Sequence, residues 1–146
     1  MKWMTSFALF GVVLCSAAVA ENGDDQQAIE QLMTHTWDQP DVRLQVGPVT
    51  VVVDHAVTGW TQGERGGRAL LRRDGGAWKV VLCAGDELLE TASLRDAGLS
   101  AEQAVVMSQS VRTAEAALPA ARVKQFALFK GQVQVNPHQG HEPMKH

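Results

Sequence analysis

Near Asp86 the spacing of apolar residues changes, and that change limits what the chain can fold into. Upstream, Ala69, Leu71, Trp78, Val80 and Leu82 fall at alternate positions on either side of Asp74-Gly75-Gly76. Downstream, Ala104, Met107, Val111, Ala114 and Leu118 step by three and four. Alternation suits a strand with one buried face, and the longer step suits a helix with one buried stripe. Strands followed by helices predict an α+β domain.

The strand-rich half resolves into two hairpins, giving a four-stranded antiparallel meander. Val49 to Val53 and Ala56 to Trp60 are β-rich runs joined at Asp54-His55, which places His55 at a turn tip. Arg68 to Arg73 and Ala77 to Cys83 form the second hairpin across Asp74-Gly75-Gly76. Gly63, Gly66 and Gly67 read as a flexible connection between the two, since no helix start follows them to make a phosphate cradle. By parity, Ala69, Leu71, Trp78, Val80 and Leu82 share the core face, and Arg68, Leu70, Arg72, Lys79, Val81 and Cys83 share the other. If Gly75-Gly76 is the turn, Arg68 lies opposite Cys83, where a cation lowers a thiol's pKa.

Helices flank this sheet in sequence. From Gln26, the residues Ala28, Ile29, Leu32, Met33, Thr36 and Trp37 recur with a helical period, with Asp24 or Asp25 as N-cap and Pro40 as stop. His35 lies off that stripe. Ser93 to Ala97 is a short helix closed by Gly98, and Ser100 with Gln103 makes a capping box for a longer one. Pro119 opens a further helix through Phe126, ended by Gly131, after which Gln132 to Val135 offers a short strand. The expected core is Trp37, Leu71, Trp78, Val80, Leu82, Met107, Val111 and Phe126.

The first twenty residues, MKWMTSFALFGVVLCSAAVA, carry one early lysine, an apolar run and an Ala-Val-Ala end. They read as a secretory signal peptide cleaved after Ala20, so residues 21–135 form one exported domain and 136–146 a flexible tail. No later stretch is apolar enough to insert the mature chain in a membrane. The formal net charge of −3 becomes more negative once Lys2 is removed, which disfavours nucleic acid and anionic membrane surfaces as partners. Of the two cysteines, Cys15 leaves with the leader. Cys83 then has no intramolecular partner, and packing alone must hold the domain.

Enzyme signatures are missing: there is no G-x-S-x-G, H-E-x-x-H or Cys-x-x-Cys, and no tyrosine. The chain reads as non-enzymatic. Its tail, NPHQGHEPMKH, places His138, His141, Met144 and His146 in one short segment. Imidazole serves Cu(II), and thioether sulfur selects Cu(I). Together with Cys83 these are the candidate copper ligands, the tail acting as a mobile collector because Pro137, Gly140 and Pro143 hold nothing rigid.

The block GWTQGERGGRALLRRDGGAWKVVLCAGD (Gly59–Asp86), preceded by THTWDQPD and followed by AEAALPAARVKQFALFKG, resembles the copper uptake system-associated proteins of bacteria. The similarity runs from about Ile29 to Val135. It implies a small exported accessory of copper acquisition, periplasmic in a Gram-negative source, whose partners are copper uptake or transport components. It transfers no defined ligand motif. A second plan is a small cone similar to the nuclear transport factor 2-like domains, with a pocket for an organic ligand or a simple reaction; the helical carboxy-terminal third fits that plan poorly.

Overall fold

The computed structural model describes residues 17–135, with side chains from position 23 onward; residues 1–16 and 136–146, including His138, His141, Met144 and His146, lie outside the described residues. Helix α1 (Ala17–Trp37) leads into strands β1 (Leu44–Val52), β2 (His55–Gln62), β3 (Arg65–Asp74) and β4 (Ala77–Ala84). A 3-10 turn (Asp86–Leu89) and helices α2 (Thr91–Asp96), α3 (Ala101–Ala116) and α4 (Ala120–Phe126) come next, and β5 (Val133–Gln134) closes the order. The sheet is an antiparallel meander, β1-β2-β3-β4-β5, whose fifth strand joins the edge only after the helices have been laid down. The α+β reading stands.

Local chemistry explains most element ends. Gly75 and Gly76 both take positive φ, as the two-residue turn between β3 and β4 requires. Ser100 and Gln103 form the full capping box of α3, and Pro119 stands at the N-cap of α4. Two expectations shift. Helix α1 is continuous from Ala17, so Asp24 and Asp25 lie inside it and neither caps it. Asp25 instead accepts a hydrogen bond from Trp78 Nε1 at 3.0 Å and pairs with Arg73, tying α1 to β3 and β4. The first hairpin turns at Val53-Asp54, with Val53 at φ 54°, one residue before the expected place. His55 is therefore the first residue of β2, buried with its Nε2 near Gly98, and not a turn tip.

The largest departure from simple alternation is a one-residue slip between β3 and β4. Leu71 pairs with Val80, but Leu70 pairs with Leu82, so Val81 is an extra residue. A bulge of this kind moves every later side chain to the opposite face. Leu82 and Ala84 join Val57 and Leu70 in a core with Leu88, Leu94, Met107 and Val111. Ala69, Leu71 and Trp78 stay on the other face with Ile29 and Met33 of α1, and Cys83 crosses over to them. The parity expected for Leu82 and Cys83 is thus reversed.

Both faces of the sheet are consequently covered, and every residue of β2 is buried. Of the expected core, Leu71, Trp78, Leu82, Met107, Val111 and Phe126 are buried, while Trp37 and Val80 are partly so. Gly66 and Gly67 are not a loose connection: both are buried residues of β3. A Cβ on Gly66 would stand 2.5 Å from the carbonyl oxygen of Gln125, and one on Gly59 2.4 Å from the Phe126 ring. These glycines let α4 lie directly against β2 and β3.

Candidate functional site

Where α3, α4 and the end of the sheet meet, a cleft of about 680 Å³ opens to solvent. Its floor is Arg68, delivered by β3 and only 1% exposed. The guanidinium is oriented from three sides. Nε and one terminal nitrogen donate to the two carboxylate oxygens of Glu115 on α3, both at 2.7 Å. The other terminal nitrogen donates to Asp86 Oδ1 at 2.9 Å. The Phe126 ring lies beneath, its centroid 5.6 Å from the guanidinium carbon. Burial alone would depress the Arg68 pKa; hydrogen bonding and attraction from Glu115, then Asp86, outweigh it and raise the pKa.

The two carboxylates are not equivalent. Glu115 is buried within the α3 stripe, whereas the Asp86 side chain is 67% exposed at the start of the 3-10 turn. Leu89, Leu118 and Val123 supply apolar wall, and Arg112 and Lys124 add positive charge beside the floor. Arg112 reaches the Leu89 carbonyl at 3.3 Å and Glu90 at 3.5 Å; Lys124 makes no ion pair among the described residues. The site can therefore hold a buried, oriented cation beside apolar surface, with one of its acceptors free to swing into water.

Sequence reasoning placed Arg68 on the sheet face away from the expected core, opposite Cys83, and gave Glu115 no role. The available signal was Glu115 itself, an acid four residues after Val111 on the stripe that α3 buries. An acid there needs a buried cation, and Arg68 between Gly67 and Ala69 is the strand cation with small neighbours.

Cys83 does not meet Arg68. Arg68 lies opposite Ala84, because of the Val81 bulge, while Cys83 lies opposite Ala69 on β3 and Val133 on β5. The thiol is half-buried against the α1 face, and burial pushes its pKa up to about 12, the reverse of the shift that a nearby cation would give. His35 is exposed near the end of α1. His55 has its pKa lowered by burial first and then by the Arg72 charge, against a smaller opposing effect of Asp54. Among the described residues no three His, Cys, Asp or Glu side chains converge on a point fit for a metal ion. No helix among them is long and apolar enough to cross a membrane. No protein-family model, curated protein or solved structure matches the chain.

Proposed function

We propose that this chain is an exported, non-enzymatic accessory protein of copper acquisition, which collects copper on its carboxy-terminal segment and passes it to uptake or transport components. The observation that carries the reading is the spacing His138-x-x-His141-x-x-Met144-x-His146 immediately after a folded domain. Imidazoles accept Cu(II), and the thioether adds affinity for Cu(I), a combination suited to a compartment where both states occur. The resemblance of Gly59–Asp86 and its flanks to copper uptake system-associated proteins supports the same reading, as does a leader of the secretory type.

Strand β5 is the last described element before that segment. Val133 and Gln134 pair with Cys83 and Leu82, and the Val135 N–H donates to the Val81 carbonyl at 2.9 Å. The last described residue, Val135, thus lies on the sheet edge beside Val81, the strand running away from Cys83. Burial raises the pKa of the Cys83 thiol to about 12, which disfavours the thiolate a copper ion needs, so the reading rests on the tail rather than on Cys83.

Copper bound per chain, measured by equilibrium dialysis under reducing and oxidising conditions, tests this. Ending the protein after Val135 should leave the unfolding transition unchanged and reduce copper in both oxidation states. Met144→Ala should lower Cu(I) uptake more than Cu(II), and the three histidine substitutions the reverse. Equal uptake by full-length and shortened proteins would sink the proposal.

A further inference from the structure

The copper reading assigns no role to the cleft over Arg68, and the geometry points to a binding site there for a monocarboxylate with a short apolar body. A guanidinium has five N–H groups. Glu115 takes two from the inner side and Asp86 takes one from the outer side. The two remaining N–H groups are on the terminal nitrogens, one of which is held by the exposed Asp86. Glu115 cannot leave, since it is buried and bound through both oxygens. Asp86 can, since most of its side chain is already in water. A carboxylate entering the cleft would replace Asp86 as the outer acceptor and keep the guanidinium fully paired, while Asp86 regains its hydration.

The walls of the cleft select the body attached to that carboxylate. Leu89, Leu118 and Val123 present hydrocarbon, and the volume lies within the ordinary range for small-molecule sites. Lys124, free of ion pairs among the described residues, adds a second attraction for an anion at the rim. A cationic ligand gains nothing from Arg68, because the buried Glu115 is already saturated by it. A ligand without an apolar body leaves the walls wet. This site is independent of the copper reading and stands or falls separately.

The test uses the full-length protein without added copper and octanoate, octylamine and acetate as probes, with binding read by calorimetric titration and by chemical-shift changes of the Leu118 and Val123 methyl groups. Octanoate should bind and shift those methyls; octylamine and acetate should bind at least tenfold more weakly. Asp86→Ala removes the competing acceptor and should tighten octanoate binding several-fold, whereas Lys124→Glu should weaken it about threefold, the scale of an exposed charge contact. Leu118→Trp, at a partly exposed wall position, should abolish binding while the unfolding midpoint is retained. Equal binding of octylamine and octanoate, loss of affinity in Asp86→Ala, or octanoate binding that survives Leu118→Trp would each overturn the assignment, as would no binding at all.

Discussion

Arg68 and Glu115 face each other through two parallel hydrogen bonds of 2.7 Å, one residue from the centre of the sheet and the other from the buried stripe of α3. The pair sits between elements far apart in sequence, so it fixes how the helical layer is rotated on the strands. Breaking one side leaves the other charge buried, which costs about 3–5 kcal/mol, whereas replacing both with apolar residues of similar volume is often close to neutral. Glu115→Gln is therefore expected to destabilise strongly in urea unfolding, and Arg68→Met combined with Glu115→Leu to recover most of the loss. If the double substitution is as damaging as the sum of the singles, the pair contributes more than neutralised burial.

Two glycines separate a side-chain contact from a backbone contact. At Gly59 an added methyl meets the Phe126 ring, and at Gly66 it meets the Gln125 carbonyl oxygen. Overpacking of this sort costs about 1–3 kcal/mol. Gly59→Ala should be partly rescued by Phe126→Leu, with a coupling of about 1 kcal/mol in a double-mutant cycle. Gly66→Ala should not be rescued by any Gln125 substitution, because the obstacle is main chain. Equal rescue at both positions would mean that α4 moves as a unit.

These contacts mark the limit of what the sequence discloses. The strands, the glycine turn at Gly75-Gly76, the capping box at Ser100 and the helix start at Pro119 are local, and each was legible from a few neighbouring residues. The Val81 bulge was not, because alternation continues through it without a break and only packing on both faces reveals the slip. That single residue moved Leu82 to the helical layer, Cys83 to the α1 side and Arg68 away from the thiol. Buried glycines at 66 and 67 looked like a loop for a related reason: closeness to α4 is a property of residues some sixty positions downstream.

His55 should make stability depend on pH near neutrality. Its folded-state pKa lies below the ordinary 6.5, through burial and then Arg72. A depressed histidine pKa means that the unfolded chain binds the proton more tightly, so stability is full above 6.5 and falls as pH drops from there to the folded pKa. His55→Gln should flatten the pH dependence of the unfolding free energy in that window while leaving the behaviour above pH 7.5 unaltered. An unchanged slope would assign the effect to another group.

The Cys83 thiol should be inert in the folded state. A pKa of about 12 leaves on the order of a thousandfold less thiolate at pH 8 than a free cysteine has. Labelling by a neutral disulfide reagent is then expected to be slow and to accelerate with urea in step with unfolding. Rapid labelling without urea would show that β5 opens from the sheet edge and exposes the sulfur, since Val133 is its cross-strand neighbour.

Asp25, inside α1, should be the residue that ties that helix to the sheet. One carboxylate oxygen accepts from Trp78 Nε1, the other pairs with Arg73, and the Arg73 guanidinium lies over the Trp78 ring at 4.7 Å. The three residues form one polar clamp on an otherwise apolar face. Asp25→Ala removes both acceptors and strands a largely buried indole N–H, an effect of about 1–3 kcal/mol. Asp25→Asn keeps an acceptor for the indole and gives up the charge, so a smaller loss is expected. A protein beginning at Glu21 retains Asp25 and should keep the clamp. A protein beginning at Gln26 lacks it and should match Asp25→Ala in urea unfolding. Amide exchange distinguishes a local tether from a general effect on stability. In both altered proteins the amides from Gln27 to Met33 should exchange faster, by a larger factor than those of Leu70 and Leu71. If strand and helix amides accelerate together, the clamp belongs to the cooperative core and α1 has no separate opening.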